Sequence, residues 1–271
     1  MKNQYDHYGC GQCGQVKKVS TKLFFEKLWI LRLLFRRSCA LFTSSSFIEN
    51  PSTEYEQTVN TLVNNPAKEA LEELLERYPA LEKASKELEK CYLTLCECFR
   101  KDGILYLCGN GGSAADAEHI AGELMKGFLS LRPLPEEMRE KIGDETIFSS
   151  LQQGLRAVSL LSHPALSSAF ANDVDPRLVY AQQLYVMGRE GDVLLGITTS
   201  GNAKNVLAAF KVAKAKGMKT ILLTGENHGL CEAFADLAVH APEKTTYKVQ
   251  EYHLPLYHTL CIMLERTFYG K

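Results

Sequence analysis

Residues 103–114 read GILYLCGNGGSA, a short apolar run that leads directly into a glycine-rich turn. The run from Gly103 to Cys108 predicts a buried strand, and the sequence from Ala114 to Leu129 predicts the helix that follows it. Glycines let a backbone approach a ligand closely, and the first amides of a helix attract anions. This strand–turn–helix unit therefore predicts an anion site at the end of a strand.

A second unit of the same kind occurs later, where residues 192–202 read DVLLGITTSGN. A predicted strand over 192–198 runs into a loop of hydroxyls and glycine, and a predicted helix over 203–216 follows. Because parallel strands end at the same edge of a sheet, both loops suit one phosphorylated ligand in a crevice. Neither loop matches GxxxxGK[ST] or GxGxxG, which disfavours a nucleoside triphosphate or dinucleotide. Two tight turns that bind nothing are the alternative.

The rest of the chain predicts an α/β fold. Three further strands alternate with helices at βαβ spacing, over 156–161, 219–224 and 237–240. Two helices are predicted before the first strand, a last helix over 251–268, and an insertion with its own short helix near 130–155. We therefore predict a three-layer αβα sandwich with a five-stranded parallel sheet, preceded by a helical pair.

The charge is divided unevenly along the 271 residues, whose net charge is −1. Residues 1–50 contain eight Lys/Arg and three Asp/Glu, and the remainder contains 23 basic and 29 acidic residues. We interpret residues 1–50 as a basic, flexible extension and residues 52–271 as the folded domain. The near-neutral total predicts no nucleic-acid partner. Charges interrupt the Leu- and Phe-rich run near residues 23–42, so no stable membrane insertion is expected.

Nine cysteines are present, and their odd number argues against a disulfide framework. Six of them lie in apolar or helical runs, which favours buried thiols in a cytoplasmic protein: Cys91, Cys96, Cys98, Cys108, Cys231 and Cys261. Cys10 and Cys13 form a single CxxC, which is half a zinc site at best, and their role stays open.

Four polar residues could carry chemistry. His119 and Glu123 lie four apart on the helix of the first unit and so share one face. Gln250 and His258 bracket the predicted start of the last helix, because Pro255 is tolerated most easily in a first turn. Two imidazoles, a carboxylate and an amide could bind a divalent metal or supply an acid and a base. Each residue alone is also an ordinary surface or core residue.

Three blocks of the sequence resemble the sugar isomerase (SIS) domain family, and within it the phosphoheptose isomerases. They are LCGNGGSAADAEHIAGEL, GREGDVLLGITTSGNAKNVLAAFKVAKAKGMKTILLTG and VQEYHLPLYH. The resemblance covers roughly residues 55–270, apart from the segment near 130–155. It implies a homotetramer with active sites between subunits, and zinc as a cofactor. It also implies conversion of sedoheptulose 7-phosphate to D-glycero-D-manno-heptose 7-phosphate through an enediolate, the first step towards a nucleotide-activated heptose.

The resemblance also implies roles for individual residues. The metal ligands would be His119, Glu123, Gln250 and His258, with Glu123 and His258 as the acid–base pair. The substrate contacts would be Asn110, Gly111, Gly112, Ser113, Asn172, Asp173, Thr198, Thr199, Ser200, Asn202 and Gln250.

Two other functions remain open from the sequence. Some SIS proteins have no catalytic activity and bind a replication initiator, and those typically lack the second histidine of the last motif. The presence of His258 favours an enzyme. Ala203 stands where the family often has a phosphate-contacting serine, and Tyr247 stands where an aspartate is common. A further hypothesis is therefore an SIS enzyme or sensor that recognises another phosphosugar.

Overall fold

The computed structural model describes residues 66–270. The predictions for the extension over 1–50, for Cys10 and Cys13, and for the start of the first helix before residue 66 lie outside the described residues. The boundary predicted at residue 52 is likewise untested.

Five parallel strands form one sheet in the order β2-β1-β3-β4-β5. Their bounds are β1 Leu105–Cys108, β2 Ala157–Ser159, β3 Val193–Ile197, β4 Lys219–Thr224 and β5 Leu237–His240. The predicted five-stranded parallel sheet is thus confirmed. In the β1–β3 pair, Cys108 lies opposite Gly196, so the loops after both strands leave the sheet at the same edge.

Helices cover both faces of the sheet. They are α1 Pro66–Arg77, α2 Glu82–Arg100, α3 Gly112–Met125, α4 Glu137–Ile142, α5 Glu145–Ser150, α6 Pro164–Asp173, α7 Val179–Met187, α8 Lys204–Ala215 and α9 Thr246–Tyr269. Because side chains alternate along a strand, Leu105 and Leu107 pack with α1, α2, α3 and α9, whereas Tyr106 and Cys108 pack with α7 and α8. The three-layer arrangement and the preceding helical pair are confirmed. Among the described helices, none is long and apolar enough to cross a membrane.

Three elements differ from the sequence prediction. Helix α9 begins at Thr246, several residues before the predicted start, and carries Pro255 in its interior. Proline costs a helix one hydrogen bond, but Pro255 is buried here, and its packing offsets that cost. The segment 130–155 contains two short helices instead of one. Helix α6 was not predicted, because none of its side chains is buried and it shows no apolar stripe.

The six cysteines of the described chain are buried and unpaired, as predicted for them. Burial raises the pKa of Cys91 to about 12 and that of Cys96 to about 11. These groups are therefore neutral thiols that serve as small apolar side chains.

A buried ion pair ties the end of α3 to α9. Glu265 accepts from Arg132 Nε at 2.9 Å and from the backbone amides of residues 128 and 129, each at 2.8 Å. Arg132 Nη1 and Nη2 donate to the carbonyls of residues 124 and 123, at 2.8 and 3.2 Å. Burial alone would raise the pKa of Glu265, but the two amides and the guanidinium together hold it below its usual range. Both charged groups of this pair therefore have hydrogen-bonding partners inside the fold.

We expect Glu265→Gln to lower the free energy of unfolding by about 3–5 kcal/mol, because it leaves a buried guanidinium without its counter-charge. Urea denaturation at neutral pH measures this loss. Glu136→Gln is the matched control, since Glu136 pairs with Arg139 on the surface and should matter little. A loss no larger than that of the control would contradict the role of the pair.

His253 of α9 is buried in a neutral state. Its Nε2 donates to the Thr224 carbonyl at 3.2 Å, and burial lowers its pKa to about 4. The unfolded chain binds a proton here near pH 6.5, whereas the folded chain does so only near pH 4. This group therefore destabilises the fold progressively as pH falls from about 6.5 to about 4.

We expect His253→Gln to flatten the pH dependence of stability in that window, by up to about 1.4 kcal/mol per pH unit. Glutamine keeps a donor for Thr224 but does not titrate. Urea denaturation at several pH values gives both slopes, and His163→Gln, at an exposed histidine, is the control. Equal slopes for the wild type and His253→Gln would contradict this assignment.

Candidate active site

The two predicted anion loops lie side by side. Asn110, after β1, and Asn205, in the first turn of α8, form a reciprocal amide pair: each Nδ2 donates to the other's Oδ1, at 2.9 and 2.8 Å. Tyr180 Oη also donates to the Gly109 carbonyl at 2.5 Å. These contacts fix the relative position of the loops. Asn205 is not among the residues predicted from the sequence, although a second amide in the first turn after a predicted anion loop indicates such a role.

The first loop has an open backbone at the start of α3. Gly111, the residue before the helix, has φ +56°, a conformation that favours glycine, and the space beside its Cα is open. Gly112 has no such room, because a Cβ there would collide with the Gln250 side chain. Gln250 of α9 therefore lies against the N-terminus of α3. The loop is thus accessible to a ligand on one side and bounded by Gln250 on the other.

The second loop is held by its own polar groups. Asn202 Nδ2 donates to the Ser200 carbonyl at 2.8 Å, and Asn202 Oδ1 accepts from the Leu230 amide at 3.0 Å. Asn202 therefore shapes the loop, and its predicted substrate contact stays a prediction. Thr198 is buried beside the sheet, whereas Ser200 is exposed at the edge where the first loop also lies.

Three of the four predicted metal ligands lie together. His119 Nε2 is 3.2 Å from Glu123 Oε1, and the rings of His119 and His258 are 5.0 Å apart between centroids and nearly perpendicular. Gln250 and His258 are both inside α9, eight residues apart and so on roughly the same side of the helix. The prediction that they bracket the helix start was therefore wrong, but α9 carries both towards α3.

A chain of hydrogen bonds orients His119. Tyr257 Oη donates to Asp116 Oδ1 at 3.3 Å, so it accepts the Nδ1 proton of His119, 3.0 Å away. Burial and the Asp116 carboxylate raise the pKa of Tyr257, which keeps the phenol protonated. The lone pair of His119 Nε2 then faces the Glu123 carboxylate, an arrangement typical of a ligand held by its neighbours. Tyr257 is not among the residues predicted from the sequence, although it directly precedes His258.

His258 is neutral and carries an unused nitrogen. Burial, with a smaller contribution from His119, lowers its pKa. Its Nε2 is buried and has no hydrogen-bond partner among the described residues. A cleft of about 330 Å³ between α1 and α9 reaches the ring, with Phe128 and Pro255 in its wall. A neutral imidazole with a free nitrogen can ligate a metal or exchange a proton with a substrate.

Glu123 is held by a hydrogen bond at one oxygen and faces His119 with the other. Besides the contact with His119, its Oε2 accepts from Lys126 Nζ at 2.9 Å, and its side chain is only 13% exposed. The carboxylate is therefore fixed at the surface of α3 beside His258. Asn172 and Asp173 are exposed at the end of α6 and bond to each other at 2.8 Å, and their predicted substrate contact stays a prediction. Within residues 66–270 no hydrogen bond joins them to the two loops.

The predicted metal ligands are less tightly grouped than another set. Within residues 66–270, the group of histidine and carboxylate ligand atoms that all lie within 4.8 Å of one another is His228, Glu232 and His240. His119, Glu123 and His258 are neighbours without meeting that distance. The zinc ligands therefore stay a prediction, supported by the free nitrogen of His258 and the orientation of His119.

Comparison with known proteins identifies the family. The sequence model of the SIS domain matches residues 68–146 and 136–225. A phosphoheptose isomerase of Helicobacter pylori is 37% identical over 204 residues, which are 75% of this chain and 93% of that protein. The chain belongs to the phosphoheptose isomerase family of SIS-domain proteins.

Solved structures of the family agree with this fold. The phosphoheptose isomerase of Neisseria gonorrhoeae matches with a TM-score of 0.56 and 29% identity, over 79% of this chain and 96% of that chain. The one from Francisella tularensis matches with a TM-score of 0.58 and 25% identity, over 78% of this chain and 98% of that chain.

We expect Tyr257→Phe to lower kcat by about 10- to 100-fold, because His119 loses the hydroxyl that fixes its ring. KM should change little, since Tyr257 contacts neither anion loop. Steady-state kinetics with a heptose phosphate measure both constants. Tyr252→Phe, at a half-buried tyrosine of the same helix, is the control and should leave both unchanged. Circular dichroism must show that the variant is folded, because partial unfolding would also lower kcat without a change in KM. An unchanged kcat in the folded variant would contradict the positioning role of Tyr257.

Proposed function

We propose that this chain is a phosphosugar aldose–ketose isomerase that converts sedoheptulose 7-phosphate to D-glycero-D-manno-heptose 7-phosphate. In the cell this reaction would be the first step towards a nucleotide-activated heptose. The observation that carries the proposal is the grouping of His119, Glu123 and His258 on α3 and α9, together with two loops suited to a phosphate, the first of which leads directly into α3. Membership of the phosphoheptose isomerase family supports the choice of a seven-carbon substrate.

The proposed proton transfers need a base and an acid on one side of the substrate. Glu123 takes the proton from the carbon beside the carbonyl, and the ion pair with Lys126 keeps its carboxylate in place. His258, neutral because of burial, supplies the proton for the carbonyl oxygen. Glu123 then returns its proton to the former carbonyl carbon, and the hydroxyl on the neighbouring carbon gives its proton to His258. These transfers complete the conversion of ketose to aldose and restore both groups. Each group acts within one hydrogen bond of the reacting atoms.

Zinc would be held by His119, Glu123, Gln250 and His258, and these donors suit it because Zn²⁺ binds imidazole and carboxylate. When bound, it would polarise the carbonyl and stabilise the charge of the enediolate. The free nitrogen of His258 supports this assignment. His119 would serve as a ligand and keep Glu123 in place.

The phosphate would bind at the sheet edge where the β1 and β3 loops meet. The open backbone of Gly111 and the N-terminus of α3 supply amides and a favourable dipole. The hydroxyls of Ser113, Thr198, Thr199 and Ser200 are the proposed side-chain donors.

The assembly and location are also proposals. Large apolar side chains are exposed near the site, including Met125, Leu129 and Leu131, at 59, 63 and 84%. Their burial between subunits would support a homotetramer that completes active sites at its interfaces. The buried, unpaired thiols support a reducing compartment, and we propose the cytoplasm.

We expect Glu123→Gln to lower kcat by about 10²–10⁴-fold, because the amide cannot accept the proton from carbon. Binding of sedoheptulose 7-phosphate, measured by calorimetry, should be retained, since the phosphate loops are unchanged. Product formation can be followed by NMR, with and without added zinc. Glu118→Gln is the control, because Glu118 is exposed on the same helix.

Two results would count against parts of the proposal. Turnover by Glu123→Gln at the wild-type rate would remove Glu123 as the base. Absence of any aldoheptose phosphate from the folded wild-type protein would overturn the isomerase function. It would then favour a binding protein or an enzyme for another phosphosugar.

A further inference from the structure

A second group of ligand atoms lies at the ends of β4 and β5, outside the site described above. His228 is in the loop after β4, Glu232 begins the short 3-10 helix Glu232–Phe234, and His240 ends β5. His228 Nδ1 is 2.9 and 2.8 Å from the two Glu232 carboxylate oxygens, and His240 Nε2 is 3.3 Å from Glu232 Oε1. The two rings are 5.0 Å apart between centroids.

The protonation of His240 is fixed by the backbone. Its Nδ1 is 2.8 Å from the Gly225 carbonyl, which can only accept, so Nδ1 carries the proton. In the neutral ring Nε2 therefore presents a lone pair to the Glu232 carboxylate. Two acceptor atoms at this distance require a positive charge between them, either a proton or a metal ion. Ligating histidines commonly donate their other N–H to a backbone carbonyl in this way.

We propose that His228, Glu232 and His240 form a binding site for a divalent transition metal ion, with Zn²⁺ as the fitting example. Two imidazoles and one carboxylate are a donor set that Zn²⁺ uses with water as the fourth ligand. Glu232 is half-buried, whereas the His228 side chain is 79% exposed, so the site opens to solvent on the side of His228. This inference does not depend on the proposed isomerase function.

The site would brace the second anion loop. The loop after β4 donates three hydrogen bonds to the second anion loop. The Gly225 amide donates to the Thr199 carbonyl at 3.1 Å, and the Cys231 amide donates to the Gly201 carbonyl at 2.9 Å. The Leu230 amide donates to Asn202 Oδ1 at 3.0 Å. Gly201 and Gly229 are also so close that a Cβ on either would collide with the other. An ion that joins His228 to Glu232 and His240 would fix the loop after β4 at both of its ends. It would thereby help to hold the second anion loop in place.

The test counts zinc bound by the full chain. Wild-type protein is treated with a chelator, dialysed against ZnCl₂, and analysed for zinc per chain. His228→Ala and Glu232→Gln should each bind one zinc ion fewer than the wild type, because each removes a ligand of a three-ligand site. His163→Ala should bind as much as the wild type, since His163 is exposed and contacts Gln183 instead. Zinc held by other ligands cancels in this comparison.

Thermal unfolding in the presence of chelator confirms that each variant folds, and the exposure of His228 makes that substitution mild. Added zinc should raise the Tm of the wild type by more than that of His228→Ala. Equal zinc content in the wild type and in both variants would overturn the proposal. The group would then be an ion pair of protonated imidazoles with Glu232.

Discussion

The buried pair of Arg132 and Glu265 determines the position of the two side chains proposed as base and acid. Arg132 caps the last turn of α3 by donating to its carbonyls, and Glu265 belongs to α9. Glu123 lies on that same turn of α3, and His258 lies two turns before Glu265 on α9. The pair thereby sets the spacing between the proposed base and acid. Such a pair costs much to desolvate, and its value here is the geometry that it imposes on two helices.

The parallel sheet positions the two loops that are proposed to bind the phosphate. Because β1 and β3 are neighbours in register, their loops meet at one edge, and the Asn110–Asn205 amide pair joins them there. Helix α3 starts in the first loop and continues to Glu123, so a single rigid element connects the anion site to the proposed base. A chain whose folded part is mildly acidic can in this way attract a phosphate locally, through amides and hydroxyls.

The sequence could predict whatever depends on local pattern. Apolar runs ended by glycine gave the strands, and the four-residue spacing of His119 and Glu123 placed both on one face of α3. It could not predict long-range contacts. The local pattern places Arg132 in an insertion, yet its side chain is among the most buried. Its partner, Glu265, is 133 residues away along the chain. The start of α9 was misplaced because tertiary packing outweighs the local preference of Pro255 for a first turn.

The group of His119, Glu123 and His258 and the group of His228, Glu232 and His240 have similar arrangements of donor atoms. They differ in where they lie in the fold. In each, a neighbour fixes the tautomer of a histidine so that its lone pair faces a carboxylate: Tyr257 does this for His119, and the Gly225 carbonyl does it for His240. The first group stands beside a cleft, so a substrate can reach it. The second lies around the loop after β4, which contacts the second predicted anion loop. Position in the fold therefore suits the first to chemistry and the second to structural support, even though their donor atoms are of the same kinds.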